Sequence, residues 1–134
     1  MSVASQNLKG LKFAGKVVSG QQKGRSIGFP TANLDYAEDQ IETGVFGVVV
    51  QWKGKRFRGV MNIGYRPTFN ESWTPVAEVH LLDFQQMIYG ETLEVEFVFK
   101  IRDEKKFSSI DSLINRIRED VEYANHQFTS IGIS

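Results

Sequence analysis

Apolar and polar residues alternate along most of the first three quarters of the chain, and the alternation predicts strands. Residues 92–101 carry it best. Leu93, Val95, Phe97, Phe99 and Ile101 interleave with Thr92, Glu94, Glu96, Val98 and Lys100, the period of two required of a strand with one face in a core. Residues 13–18, 45–52, 56–63 and 76–82 are further predicted strands, the second and third of them joined by a tight turn at Lys53-Gly54. Near the C-terminus the period changes. Ile110, Leu113, Ile114, Ile117, Val121, Ala124 and Phe128 recur at steps of three and four, which predicts an amphipathic helix. Ser108 is its expected N-cap, with Asp111 three residues on in the manner of a capping box. Such a helix covers one opening or one side of a mostly antiparallel barrel. Residues 20–35 and 64–75 fit neither period. They are polar, hold Gly and Pro, and are long for a compact fold, so they are where chemistry is sought.

Composition narrows the class. With 134 residues, 41% hydrophobic and 24% charged, the chain is expected to form one globular domain over residues 1–134, its core at about 13–128. Sixteen basic residues balance sixteen acidic ones, whereas nucleic-acid modules usually carry a basic excess. Nucleic acid is therefore an unlikely partner, despite the local group Lys53, Lys55, Arg56 and Arg58. The absence of cysteine removes disulfides, thiolate nucleophiles and Cys-ligated zinc and suits a reducing compartment. No apolar stretch is long enough to cross a bilayer as a helix, and residues 1–6 lack the apolar core of a signal peptide. A cytoplasmic monomer without membrane contact is expected.

Three places offer chemistry. The first loop runs Gly20-Gln-Gln-Lys-Gly24-Arg25-Ser-Ile-Gly28-Phe-Pro30-Thr31-Ala-Asn33. Its glycines let backbone amides approach an anion while Lys23 and Arg25 add positive charge; an ordinary glycine-rich connection fits the same residues. It is neither a Walker loop nor a G-x-G-x-x-G turn. Thr31 and Asn33, two residues apart in an extended segment, point the same way and offer hard oxygens of the kind magnesium accepts. A proline-led turn closed by Asn33 is the alternative. Glu78 and His80 share the face of their strand opposite Val79 and Leu81, and a carboxylate there could take a proton from an alcohol or be a plain surface acid. Phe84, Tyr89 and Phe107, near Arg102 and Lys105, could hold a flat ring or simply fill the barrel ends.

Read in order, six blocks resemble the riboflavin kinase (flavokinase) family. They are Gly15-Lys-Val-Val-Ser-Gly20, Gly24-Arg-Ser-Ile-Gly-Phe-Pro-Thr-Ala-Asn33, Asn62-Ile-Gly-Tyr-Arg-Pro-Thr-Phe69, Glu78-Val-His-Leu-Leu-Asp-Phe84, Tyr89-Gly90 and Ile101-Arg-Asp-Glu-Lys-Lys-Phe107. The resemblance implies a mainly β fold, a six-stranded antiparallel Greek-key barrel with a C-terminal amphipathic helix. It implies transfer of the γ-phosphoryl of ATP to the 5′-hydroxyl of riboflavin, with magnesium as cofactor and FMN and ADP as products. By position, Glu78 is similar to the family's catalytic base. Thr31 and Asn33 match the magnesium and phosphate contacts. Gly20, Arg25, Thr31, Leu81 and Tyr89 match ATP contacts, and Arg102, Lys105 and Phe107 match flavin contacts.

The chain departs from the pattern in two respects. The bacterial family usually has proline just before Gly-Val-Tyr, where Glu42-Thr43-Gly44-Val45-Phe46 stands here. Bacterial members are also commonly fused to an adenylyltransferase that makes FAD, for which these 134 residues have no room, so FMN is the expected end product. A flavin-binding regulatory module of a larger protein, with little or no turnover, is the competing expectation.

Overall fold

The computed structural model describes residues 11–18, 31–35, 42–67, 73–84 and 88–133. Six strands appear in chain order: β1 (Lys12–Val18), β2 (Ala32–Leu34), β3 (Gly44–Trp52), β4 (Lys55–Pro67), β5 (Trp73–Leu81) and β6 (Thr92–Arg102). They close into an antiparallel barrel in the order β1-β2-β5-β4-β3-β6. One helix, α1 (Ile110–Ser130), follows β6. The six-stranded barrel with its C-terminal helix is thus the fold of the protein.

Inward-facing residues fill the barrel. Val17, Leu34, Phe46, Val48, Val50, Met61, Ile63, Ala77, Val79, Leu93, Val95 and Phe97 form one buried cluster, and Phe46 meets Phe97 edge to face at 5.2 Å between ring centres. A second cluster lies outside the barrel wall, where Val45, Val49 and Val60 receive Ala124 and Phe128 of α1. The helix therefore covers a side of the barrel and not an opening. This explains why residues 44–50 are buried without alternation: β3 has the barrel core on one face and α1 on the other.

The strand with the best alternation does not keep it. Between Gly47 and Val48, and again between Val45 and Phe46, the register of β6 against β3 shifts, the signature of bulges, which turn later side chains to the other face. Leu93, Val95 and Phe97 point into the barrel, whereas Phe99 and Ile101 pack outside with the α1 cluster. Gly47 lies under the Phe99 ring, where a Cβ would collide with the aromatic carbons.

Element ends differ from the pattern in ways that have local causes. The Lys53-Gly54 turn is present, with φ of 50° and 75° at its two residues, the left-handed pair that a type I′ hairpin needs. The helix N-cap is Ser109, not Ser108: Ser109 has extended backbone and its hydroxyl accepts from the Ser112 N–H at 3.1 Å. β4 continues to Pro67 and β5 begins at Trp73, so most of residues 64–75 belongs to paired strand. Cross-strand pairing, rather than side-chain alternation, holds those ends.

Candidate active site

The barrel register brings the two candidate chemical residues into direct opposition. Ala77 and Val79 of β5 are buried in the barrel, so Glu78 between them faces outward. Across β2, Asn33 is its cross-strand partner. Across β4, Asn62 is its partner on the other side. Directly paired side chains on an antiparallel sheet lie about 4.5–5.5 Å apart at Cβ. Asn33, Glu78 and Asn62 therefore form one row of polar groups on the outer wall.

Asn33 is 7% exposed, and its Oδ1 is buried without a hydrogen-bond partner among the described residues. An orphaned buried acceptor costs about 1–3 kcal/mol. The donor set of an amide oxygen with the Thr31 hydroxyl, half-buried just before β2, suits a hard divalent cation.

Two residues along the strands from Asn62 and Glu78, Gly64 pairs with Val76. Here an open cleft of about 80 Å³ is lined by Asn62, Gly64, Tyr65, Val76, Glu78 and Glu104. Glu104 comes from the segment after β6 and lays its carboxyl over Gly64; a Cβ there would sit 2.9 Å from the Glu104 Cδ. Desolvation holds the Glu104 carboxyl above the usual glutamate range, against the smaller opposing influence of Lys106 and Arg102.

That segment is anchored at its β6 end. Arg102 grips Asp120 of α1 through its Nε (2.9 and 3.1 Å) and Nη2 (2.8 Å), and its Nη1 donates to the Asp103 carbonyl at 3.1 Å. Asp120 is 3% exposed. Lys100 donates to Glu42 at 2.8 Å, and also pairs with Asp103 at 2.6 Å. These hydrogen bonds, to Asp103 foremost and then Glu42, hold the Lys100 ammonium above its ordinary lysine range. Glu42, standing in the stretch where the family pattern has its proline, is thus buried and ion-paired.

The remaining predicted residues divide by position. Arg102, Lys105 and Phe107 come together: the Arg102 guanidinium lies 5.6 Å and the Lys105 ammonium 5.9 Å from the Phe107 ring centre. Tyr89 is exposed in the turn before β6, which is tied to β1 by the Gly90 N–H donating to the Val17 carbonyl at 2.9 Å. Val17 is next to Val18, the β1 partner of Asn33, so Tyr89 stands at the Asn33 end of the site. Leu81 faces the other way, into the barrel core. Gly20 and Arg25 lie outside the described residues. Asn62, Gly64 and Glu104 were given no role by sequence pattern. The available signal was a carboxamide and a glycine alternating with Met61 and Ile63 in β4.

With this geometry in view, comparison with known proteins is decisive: the riboflavin kinase family profile matches residues 8–128. The chain belongs to the riboflavin kinase family. Among curated relatives, an RNA-binding riboflavin kinase of Bacillus subtilis is 42% identical over 90% of this chain and 53% of its own length. A bifunctional riboflavin kinase/FMN adenylyltransferase of Haemophilus influenzae is 46% identical over 94% of this chain and 42% of its own length. The chain thus spans about half, or less, of these relatives. Among solved structures, riboflavin kinase from Trypanosoma brucei shares the fold at TM-score 0.61, with 23% identity over 88% of this chain and 79% of that one. A Streptococcus pneumoniae structure described as a macrolide-efflux protein aligns at TM-score 0.79 and 37% identity, over 86% of this chain and 38% of that one. Among the described residues of this riboflavin kinase family member, no helix is long and apolar enough to cross a membrane.

Proposed function

We propose that the protein transfers the γ-phosphoryl of ATP to the 5′-hydroxyl of riboflavin, releasing FMN and ADP. The observation that carries this reading is the direct pairing of Glu78 with Asn33 across β2 and β5, beside the buried unpartnered Asn33 Oδ1. A carboxylate one side chain away from a cation-suited amide can take a hydroxyl proton where a phosphate would lie. Thr31 and Asn33 are the residues that would hold magnesium, which when bound with ATP offsets charge on the phosphates.

The chain's own residues then do the rest. Glu78 orients the 5′-hydroxyl and accepts its proton as the oxygen attacks phosphorus in line, and the barrel wall holds both reactants in register. The Gly20–Arg25 loop and Tyr89 are assigned to ATP, with Leu81 supporting the β5 wall from within. Lys105 and Phe107 are assigned to the flavin ring. Arg102 joins them through the face it turns to Phe107, while three of its five N–H donors are engaged by Asp120 and Asp103. A cytoplasmic enzyme acting as a monomer on small molecules is the setting we assign.

Incubation with riboflavin and Mg·ATP, followed by chromatography, should yield FMN and ADP in equal amounts. Tight riboflavin binding without product would overturn the assignment and favour a flavin-sensing module.

A further inference from the structure

Glu104 belongs to the same cleft as Glu78, yet proton transfer to a single base leaves it without a role. Its setting is specific. The lack of a side chain at Gly64 makes the space that its carboxyl occupies. Although the residue as a whole is exposed, none of the ion pairs among the described residues takes it in. An ionised carboxylate can only accept hydrogen bonds, and here burial against backbone outweighs the opposing influence of Lys106 and Arg102, so the group is under-solvated. Such a group is suited to a ligand that brings hydroxyl donors.

The spacing identifies which hydroxyls. The Gly64/Val76 pair is two residues along the strands from the Asn62/Glu78 pair, about 6.8 Å at the rise of an antiparallel strand. A pentitol chain, built from carbon–carbon bonds of about 1.5 Å, can set its terminal hydroxyl at Glu78 and an inner hydroxyl over Gly64. We infer that Glu104 is a specificity-determining residue that accepts a hydrogen bond from a secondary hydroxyl of the acceptor's ribityl chain. This rests on the kinase reading above and adds to it the part of the substrate that is read. Desolvation of the empty carboxyl agrees with the assignment, because a hydroxyl donor replaces the lost water.

The test compares riboflavin with analogues that each lack one secondary ribityl hydroxyl, in wild type and in Glu104→Ala, by steady-state FMN formation. A hydrogen bond to a charged group contributes about 1.5–3 kcal/mol, or about 10- to 100-fold in kcat/KM. One deoxy analogue should lose that factor with wild type. Glu104→Ala should lose a similar factor with riboflavin, mostly through KM, and lose nothing more with that analogue. Glu104→Gln, which retains a weaker acceptor, should fall between them. Thermal unfolding of both variants checks that the fold is kept. If Glu104→Ala phosphorylates riboflavin like wild type, or discriminates against every analogue as wild type does, the assignment of Glu104 is wrong while the kinase reading stands. Wild type that makes no FMN overturns both.

Discussion

Replacing Asp120 by Ala removes the anion that ties α1 to the end of β6. Asp120 accepts from Arg102 at 2.8–3.1 Å and also faces Arg116 Nε at 3.6 Å. Its side chain is 4% exposed, that of Arg102 13% and that of Arg116 40%. Deleting one member of a buried pair costs about 3–5 kcal/mol, because the partner charge stays buried. Arg116 can turn to water, and Arg102 is partly wet, so the lower end, about 3 kcal/mol, applies. For a chain of this size that is a fall in Tm of roughly 10–15 °C. Calorimetry and urea titration measure it. In the cycle completed by Arg102→Met and the double variant, the double variant should be less destabilised than the sum of the singles. The same change frees the segment holding Glu104 and Phe107, so KM for riboflavin should rise more than kcat falls. A loss under about 1 kcal/mol with unchanged KM would refute the claim that this pair anchors the segment.

Other consequences follow from the same geometry. Glu78→Gln should lower kcat by about 10²–10⁴-fold and leave riboflavin binding, followed by flavin fluorescence, intact; full turnover would remove Glu78 from the mechanism. Asn33→Leu removes a buried orphan acceptor, so Tm should hold or rise while turnover collapses, a trade expected where a site is built at the cost of stability. Lys100 has its pKa raised in the folded state by Asp103 and Glu42. Its stabilising contribution is therefore full below the unfolded lysine value of about 10.4 and is lost as pH climbs through the folded value above it. The stability difference between wild type and Lys100→Met should stay flat from about pH 7 to pH 9.5 and shrink beyond about pH 10.5; a difference that shrinks near neutrality would contradict that sign.

The sequence by itself determined five of the six strands, the hairpin turn and the helix, because each depends on local periodicity or turn chemistry; the short β2 (Ala32–Leu34) lies in a stretch that shows neither period. Val45 to Val50, Leu93 to Phe97 and the Lys53-Gly54 pair are legible without any partner. It also marked Thr31, Asn33 and Glu78, since polar groups stand out against an apolar strand or a proline-led segment. Only the closed barrel decided that Asn33 and Glu78 are paired, because the two residues lie 45 positions apart in the chain (78 − 33) and register between distant strands is set by closure. The same holds for the bulges that send Phe99 outward and for Glu104 over Gly64. Those positions are fixed by which backbone lies opposite, a relation that local pattern does not contain.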